Sequence, residues 1–442
     1  MLGLILLFIS IFFYCKPVYR AYSLVLYIGF MLGTLNGYGL FIDDITGVKN
    51  VDLALMYTLV IASFNKWKIN RSLKRNNIFK VVMCFVVFLV ASLLFSWQYY
   101  NIPLIDSFRG VRSYFLILSL FVMQYFSLAD IKKALRVIFY ISIITSVLFI
   151  LQIPAKRPLL PYPWEYSFDE ATGLIRLYNS PELLYFFLFL SFTTNDIIPR
   201  KRAVVARCVL ILCLLCTLGR TQILVGLLGL LLLLLLNGKV GKIAQFIVLI
   251  LLISLPFYDI ILQRFEGGGT TDDIARIQSK DYEDYHGGDG TMIYRLAWVT
   301  ERYDYMENRP VAEQLMGLGM ILEGDPLVYK MYNFRTGLRD AKGNVMQLST
   351  PDIAFGDLMV RLGFLGSFIY LSLYLCLMTY FYKKRKQNQI YKVALCVMAT
   401  YILLSFSGST ISSPKNLSIY FLILILSIYE DNSKNISCNS NL

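Results

Sequence analysis

Six arginines and two aspartates stand out in a chain that is otherwise a succession of apolar runs: Arg109, Arg112, Arg176, Arg220, Arg264 and Arg295, with Asp352 and Asp357. A guanidinium stays charged when it loses water, and its fork of donors matches two phosphate oxygens. A carboxylate beside such a group can orient a sugar hydroxyl or take its proton. Forks gathered at one membrane face suit a lipid-linked diphosphate better than a soluble ion. The aspartates belong to one stretch, Ser349-Thr-Pro-Asp352-Ile-Ala-Phe-Gly-Asp357-Leu-Met-Val-Arg361-Leu-Gly363-Phe-Leu-Gly366. A helix starts near Pro351 or Asp352, and Asp352 can cap its first turn. Asp357 and Arg361 stand four apart and can pair on one helical face. Asp357 lies one turn deeper, where an ionisable group in a membrane needs a partner and marks a candidate site.

The elements that must position these residues follow from composition. The chain has 442 residues, 57% hydrophobic and only 16% charged. That is too apolar for a soluble domain of this size. Continuous apolar runs recur along it, which reads as helices crossing a bilayer rather than the alternation of a β-barrel. The longest polar segment runs from Asp259 to Ala354. Residues 261–354 carry fifteen acids and ten bases, a balance of −5, so the net +13 leaves +18 for the remainder. Those bases sit in short connections between apolar runs, the pattern of turns kept in the cytoplasm rather than of a nucleic-acid binder.

Taken in order, apolar runs cover Leu2–Cys15, Val18–Leu40, Val51–Phe64, Ile78–Trp97, Tyr114–Leu128, Leu135–Ile153, Leu183–Phe192, Val204–Leu218, Thr221–Leu236, Ile243–Phe257, Phe355–Tyr382, Val393–Phe406 and Leu417–Tyr429. Alternating sides along this series puts the basic turns on one side: Lys66 to Lys80, Lys132 to Arg136, Arg200 to Arg207 and Lys383 to Lys386. It puts the large polar segment on the other. About thirteen spans result by the length rule, or twelve if one of the first three runs does not cross. The first run lacks a basic region before it and a small-residue cleavage site, and so reads as retained. The expected organisation is transmembrane helices with short loops over residues 1–258, a large outer loop over 259–354, three closing helices over 355–429 and a cytoplasmic tail over 430–442.

Other chemistry is poorly represented. The eight cysteines are scattered, most within apolar runs, and read as core residues. No Walker loop is present. The Gly-rich acidic run Asp272 to Asp289 contains the only histidine, His286, and reads as a polar segment rather than a calcium loop. No metal, cofactor or nucleic acid is expected. Tyr162, Trp164, Trp298, Tyr303 and Tyr305 can stack on sugars or anchor the chain at the membrane interface.

Four stretches resemble the family of O-antigen polymerases and O-antigen ligases. They are Arg176-Leu-Tyr178-Asn-Ser-Pro181; Leu218-Gly-Arg220-Thr; Arg295-Leu-Ala-Trp298 with Asn308-Arg-Pro310 and Gly317-Leu-Gly319; and Asp352 with Gly363 and Gly366. Together they span about half the chain. Ligases of the family usually present His-Asn where this chain has Asp352-Ile353, which favours the polymerase.

The resemblance implies an all-α polytopic inner-membrane protein: a GT-C-like bundle with one large periplasmic loop. It implies a glycosyltransferase that joins undecaprenyl-diphosphate-linked oligosaccharides without metal, in a bacterium that also makes a flippase and a chain-length regulator. Asp352, Arg220 and Arg295 are the expected catalytic groups. Arg176, Arg264, Arg109, Arg112, Asp357, Trp298 and Tyr178 are the expected substrate contacts. The alternatives are a ligase moving finished polymer to lipid A core and a transporter or flippase of lipid-linked glycan. The transporter calls for charges in mid-span and broken helices.

Overall fold

The computed structural model of the protein describes residues 2–33, 48–160, 167–169, 174–177, 180–238, 292–339 and 343–439. These residues are overwhelmingly helical. Among the described residues, three helices are long and apolar enough to cross a membrane: α5 (Asn77–Tyr100), α8 (Leu128–Ala155) and α15 (Ala354–Lys384). Each leaves apolar side chains uncovered. On α5 they fall at Met83, Val87, Val90, Leu94 and Trp97, the three- and four-residue steps of one helical stripe. Ile144, Val147 and Leu151 on α8 and Phe364, Leu365, Phe368 and Leu375 on α15 do the same. Stripes of this length on an outer surface call for lipid rather than water.

Shorter apolar helices complete the bundle: α1 (Leu2–Cys15), α2 (Arg20–Leu32), α3 (Asn50–Phe64), α10 (Arg200–Cys216), α11 (Arg220–Leu236), α16 (Gln389–Leu404) and α17 (Leu417–Asn439). Two expected runs take another form. Tyr114–Leu128 is not one helix. It continues α6 (Leu104–Val111) as a 3-10 segment, Arg112–Leu118, followed by the five-residue α7 (Ser119–Met123). The run at Leu183–Phe192 gives α9 (Leu184–Ser191), in which every residue is buried. Its eight residues reach only about 12 Å, far short of a bilayer core of about 30 Å. The expected span at Ile243–Phe257 lies outside the described residues. A two-stranded antiparallel hairpin, β1 (Ser167–Asp169) with β2 (Leu174–Arg176), is the only sheet among the described residues. It sits in what the sequence marks as a loop.

Side-chain links define two ends. At one end the turns at Asn65–Asn76, Gln124–Ser127, Lys384–Asn388 and the close of α17 meet. Asn70 N–H donates to Gln124, Tyr429 donates to the Gln124 carbonyl, and Lys384 pairs with Asp431 at 2.5 Å. At the other end lies the polar segment. Between 292 and 353 it folds into α12 (Met292–Glu307), α13 (Val311–Met316) and α14 (Pro326–Met331). This crown has its own apolar core, in which Trp298, Met306, Leu318, Val328 and Leu348 pack with Ile102 from the α5–α6 turn and Val360 from α15. It is pinned to α5 by Glu313, a buried carboxylate that accepts the hydroxyls of Tyr99 (3.0 Å) and Tyr100 (3.1 Å).

Candidate functional site

Pro351 disfavours helix at the residue before it, and α15 begins only at Ala354. Its N-cap is Ile353, in extended conformation and without a side-chain cap. Asp352 is therefore not the helix cap its position suggests. Its carboxylate faces α12, where Arg295 Nη2 stands 3.9 Å from Oδ1. That is ion-pair distance but too long for a hydrogen bond. The two side chains retain 16% and 21% of their accessible surface, enough for both to meet a ligand. Among the described residues, Arg295 Nε is buried with no hydrogen-bond partner. Burial raises the Asp352 carboxyl above the ordinary carboxylate range, and the nearby Arg295 pulls it back down. The pair is thus a base of raised proton affinity beside a cation whose donors are not fully used.

What holds the pair in place is a framework of buried charge. Trp298, one turn along α12 from Arg295, lays its ring against Gly356; a Cβ on Gly356 would lie 2.7 Å from it. Arg302, one turn further and fully buried, is stacked between Trp298 and Phe334 with its guanidinium centre 4.3 and 4.4 Å from the two rings. It donates to Glu301 at 2.7 Å and to the carbonyls of Met346 and Gln347 at 3.3 Å each. Burial lowers Arg302 to about 10, so it remains protonated at neutral pH. Glu323 gathers the backbone N–H groups of Gln347, Leu348 and Ser349 at 2.5, 2.7 and 2.8 Å. That clamp fixes the chain just ahead of Asp352. Trp298 itself is completely covered, so its ring is a core element here and offers no face to a sugar.

Below the pair, Arg361 Nε donates to Asp357 Oδ1 at 3.0 Å, the contact expected from their spacing. Past Arg361 the helix breaks: Gly363 has φ +64° and ψ −175°. The break receives Gly317, whose own φ is +86°, and the Leu318 N–H donates to the Val360 carbonyl at 2.9 Å. A Cβ on Gly363 would lie 2.4 Å from the Gly317 nitrogen. The Gly317 and Gly363 of the sequence pattern are therefore where the crown's backbone enters the helix. Gly366 is where α5 crosses it, with Phe88 occupying the space of a Cβ.

Of the remaining arginine candidates, the two with described side chains, Arg109 and Arg112, are paired elsewhere. Arg112 donates to Asp52 in the first turn of α3 at 2.6 Å, and Arg109 pairs with Asp106 at 3.1 Å on the surface. Both charges are met within the protein. The side chains of Arg176 and Arg220, and the whole of Arg264, Tyr178, His286 and the acidic run from Asp272, lie outside the described residues. Sequence reasoning missed Arg302, Glu301 and Glu323. Arg302 had a signal, since it follows Arg295 by two turns with Trp298 between on the same helix. Glu323 had none, because its partners are backbone groups far along the chain. No protein-family model matches this chain, and no curated protein matches it.

Proposed function

We propose that this protein is a membrane glycosyltransferase that joins undecaprenyl-diphosphate-linked oligosaccharides, an O-antigen or surface-polysaccharide polymerase. The observation that carries the reading is the loose Arg295–Asp352 pair at the head of a membrane-length helix. In this reading the bundle spans the bacterial inner membrane about twelve or thirteen times and the crown lies in the periplasm. Asp352 accepts the proton of the acceptor hydroxyl as its oxygen attacks the donor's anomeric carbon. The bond from that carbon to the diphosphate oxygen breaks, and its electron pair leaves on the diphosphate. Arg295, with Arg220, Arg176 and Arg264 as further expected forks, neutralises that charge as it builds. A single displacement inverts the anomeric centre. No nucleotide sugar or metal enters the step, because the lipid diphosphate is already a good leaving group.

The test is elongation of a lipid-linked repeat unit by the purified protein in proteoliposomes. Asp352→Asn and Arg295→Lys should each reduce elongation by about a hundredfold or more, the range of a lost base or of a lost charge-stabilising donor. Normal elongation by both variants at normal protein levels overturns the assignment. A deletion strain separates the two enzymatic readings: core capped by a single repeat marks a lost polymerase, unattached polymer a lost ligase. Movement of lipid-linked glycan between leaflets without lengthening marks a transporter instead.

A further inference from the structure

The end of the bundle opposite the crown carries unbalanced charge, much of it in two turns. Lys66, Lys68, Arg71, Lys74 and Arg75 are all exposed, and no acid occurs among residues 64–80. Lys383, in the last turn of α15, and Lys386, just after it, are exposed. Among the described residues none of these seven has a carboxylate within ion-pair distance. Two other cations of this end are paired, Lys384 with Asp431 and Lys132 with Asp196. Although about 310 residues apart in sequence, the two turns flank the close of α17: Ser72 donates to Asn432 at 3.3 Å and Lys384 reaches the adjoining Asp431.

The first turn is also built to meet a lipid boundary. Lys66 and Trp67 both adopt left-handed backbone, φ +51° and +52°, which side chains other than glycine rarely take. Hydrogen bonds from Lys66 N–H to Ser63 and from Trp67 N–H to Ala62, both 2.9 Å, hold them there. The result is an exposed indole set between two lysines. An indole favours the level of lipid headgroups, and lysines beside it favour anionic ones. Next along the chain, α4 (Arg71–Lys74) buries only Leu73 and leaves Arg71, Lys74 and then Arg75 outward.

We propose that the turns at 65–76 and 383–386 form one binding surface for the headgroups of anionic phospholipids. Among the described residues its cations have no ion-pair partner, and a layer of phosphodiester headgroups at the depth of Trp67 supplies one. This inference is independent of the reaction performed at the crown. The test uses the full-length protein in nanodiscs of phosphatidylcholine alone or mixed with phosphatidylglycerol, with bound lipid counted by native mass spectrometry and Tm read in parallel. The expected result is a preference for phosphatidylglycerol of about tenfold or more, from basic side chains each contributing appreciably near an anionic surface. It should fall towards parity in Lys66→Gln/Lys68→Gln/Arg71→Gln/Lys74→Gln/Arg75→Gln. If that variant does not fold, Lys383→Gln/Lys386→Gln should still lower the preference severalfold. Inorganic phosphate at equal phosphate concentration should leave Tm unchanged. Parity in the wild-type protein, an unchanged preference in the folded variants, or equal protection by inorganic phosphate overturns the proposal.

Discussion

Arg295 on α12 and Asp352 in the turn just ahead of α15, 57 positions apart, face each other with 3.9 Å between Nη2 and Oδ1. A hydrogen-bonded pair would have closed to about 2.7–2.9 Å. The open distance leaves the carboxylate free to accept a further donor and the guanidinium free to meet an anion.

The first prediction concerns pH. Burial favours the neutral form of Asp352, and Arg295 opposes it with a weaker effect. The folded carboxyl therefore holds its proton to higher pH than an ordinary aspartate. If Asp352 acts as the base, elongation falls as pH drops through that raised value. Arg295→Ala removes the opposing charge and should move the acid limb to still higher pH, while Asp352→Asn should abolish it. For stability the sign is opposite: an acid whose folded pKa is raised favours the fold below its unfolded value and loses that contribution as pH rises through the folded one. Rate–pH profiles of the three proteins and thermal melts across the same range check both statements.

The second prediction concerns the crown's buried cation. Arg302 is fully covered and stacked between two rings, with Glu301 as its ionic partner. Arg302→Met should destabilise the crown by about 3–5 kcal/mol, because removing one member of a buried pair leaves the other uncompensated. Arg302→Met/Glu301→Gln should recover part of the loss, although Glu301 also accepts the N–H groups of Arg335 and Thr336. Chemical denaturation in detergent, following tryptophan fluorescence, reads the difference.

The third prediction concerns the helix break. Gly363 combines a left-handed backbone with backbone neighbours at 2.4 Å from any added Cβ. Gly363→Ala carries a conformational cost of about 1–3 kcal/mol before the clash is counted. Because the clashing atoms belong to Leu315 and Gly317, the crown must shift off α15. The expected outcome is a lowered Tm together with faster proteolysis within 292–339, and Gly317→Ala should behave alike.

How much of this was legible in the sequence depends on the reach of each interaction. Apolar runs announce helices because burial needs only composition, and α5 and α15 follow them closely, whereas α8 begins seven residues before its run and takes the expected basic turn, Lys132 to Arg136, into the helix. The run at Leu183–Phe192 is equally apolar, yet it gives a short helix wrapped on all sides. Composition does not distinguish lipid from protein as the apolar surroundings. The Asp357–Arg361 contact was readable because one helix fixes it. Arg295 and Asp352 were each readable as types in suitable places, but their approach depends on the Trp298–Gly356 notch, which no local pattern encodes. The Glu323 clamp was invisible for the same reason. So was the fate of Arg112, whose partner Asp52 lies in a separate helix.

Arg112 supplies the last prediction. Its Nη1 donates to Asp52 at 2.6 Å with both side chains largely covered, and Asp52 also accepts the Lys49 N–H at the start of α3. Arg112 therefore ties the α6 region to α3, whereas Arg295 has a buried donor left over. Arg112→Gln should lower stability by about 1 kcal/mol, as for a partly exposed ion pair, and leave KM for the lipid-linked donor unchanged. Arg295→Gln should leave stability nearly unchanged and raise KM or lower kcat. A rise in KM for Arg112→Gln matching that for Arg295→Gln would show that the Asp52 contact is one Arg112 gives up to bind substrate. The two arginines would then act on one diphosphate after all.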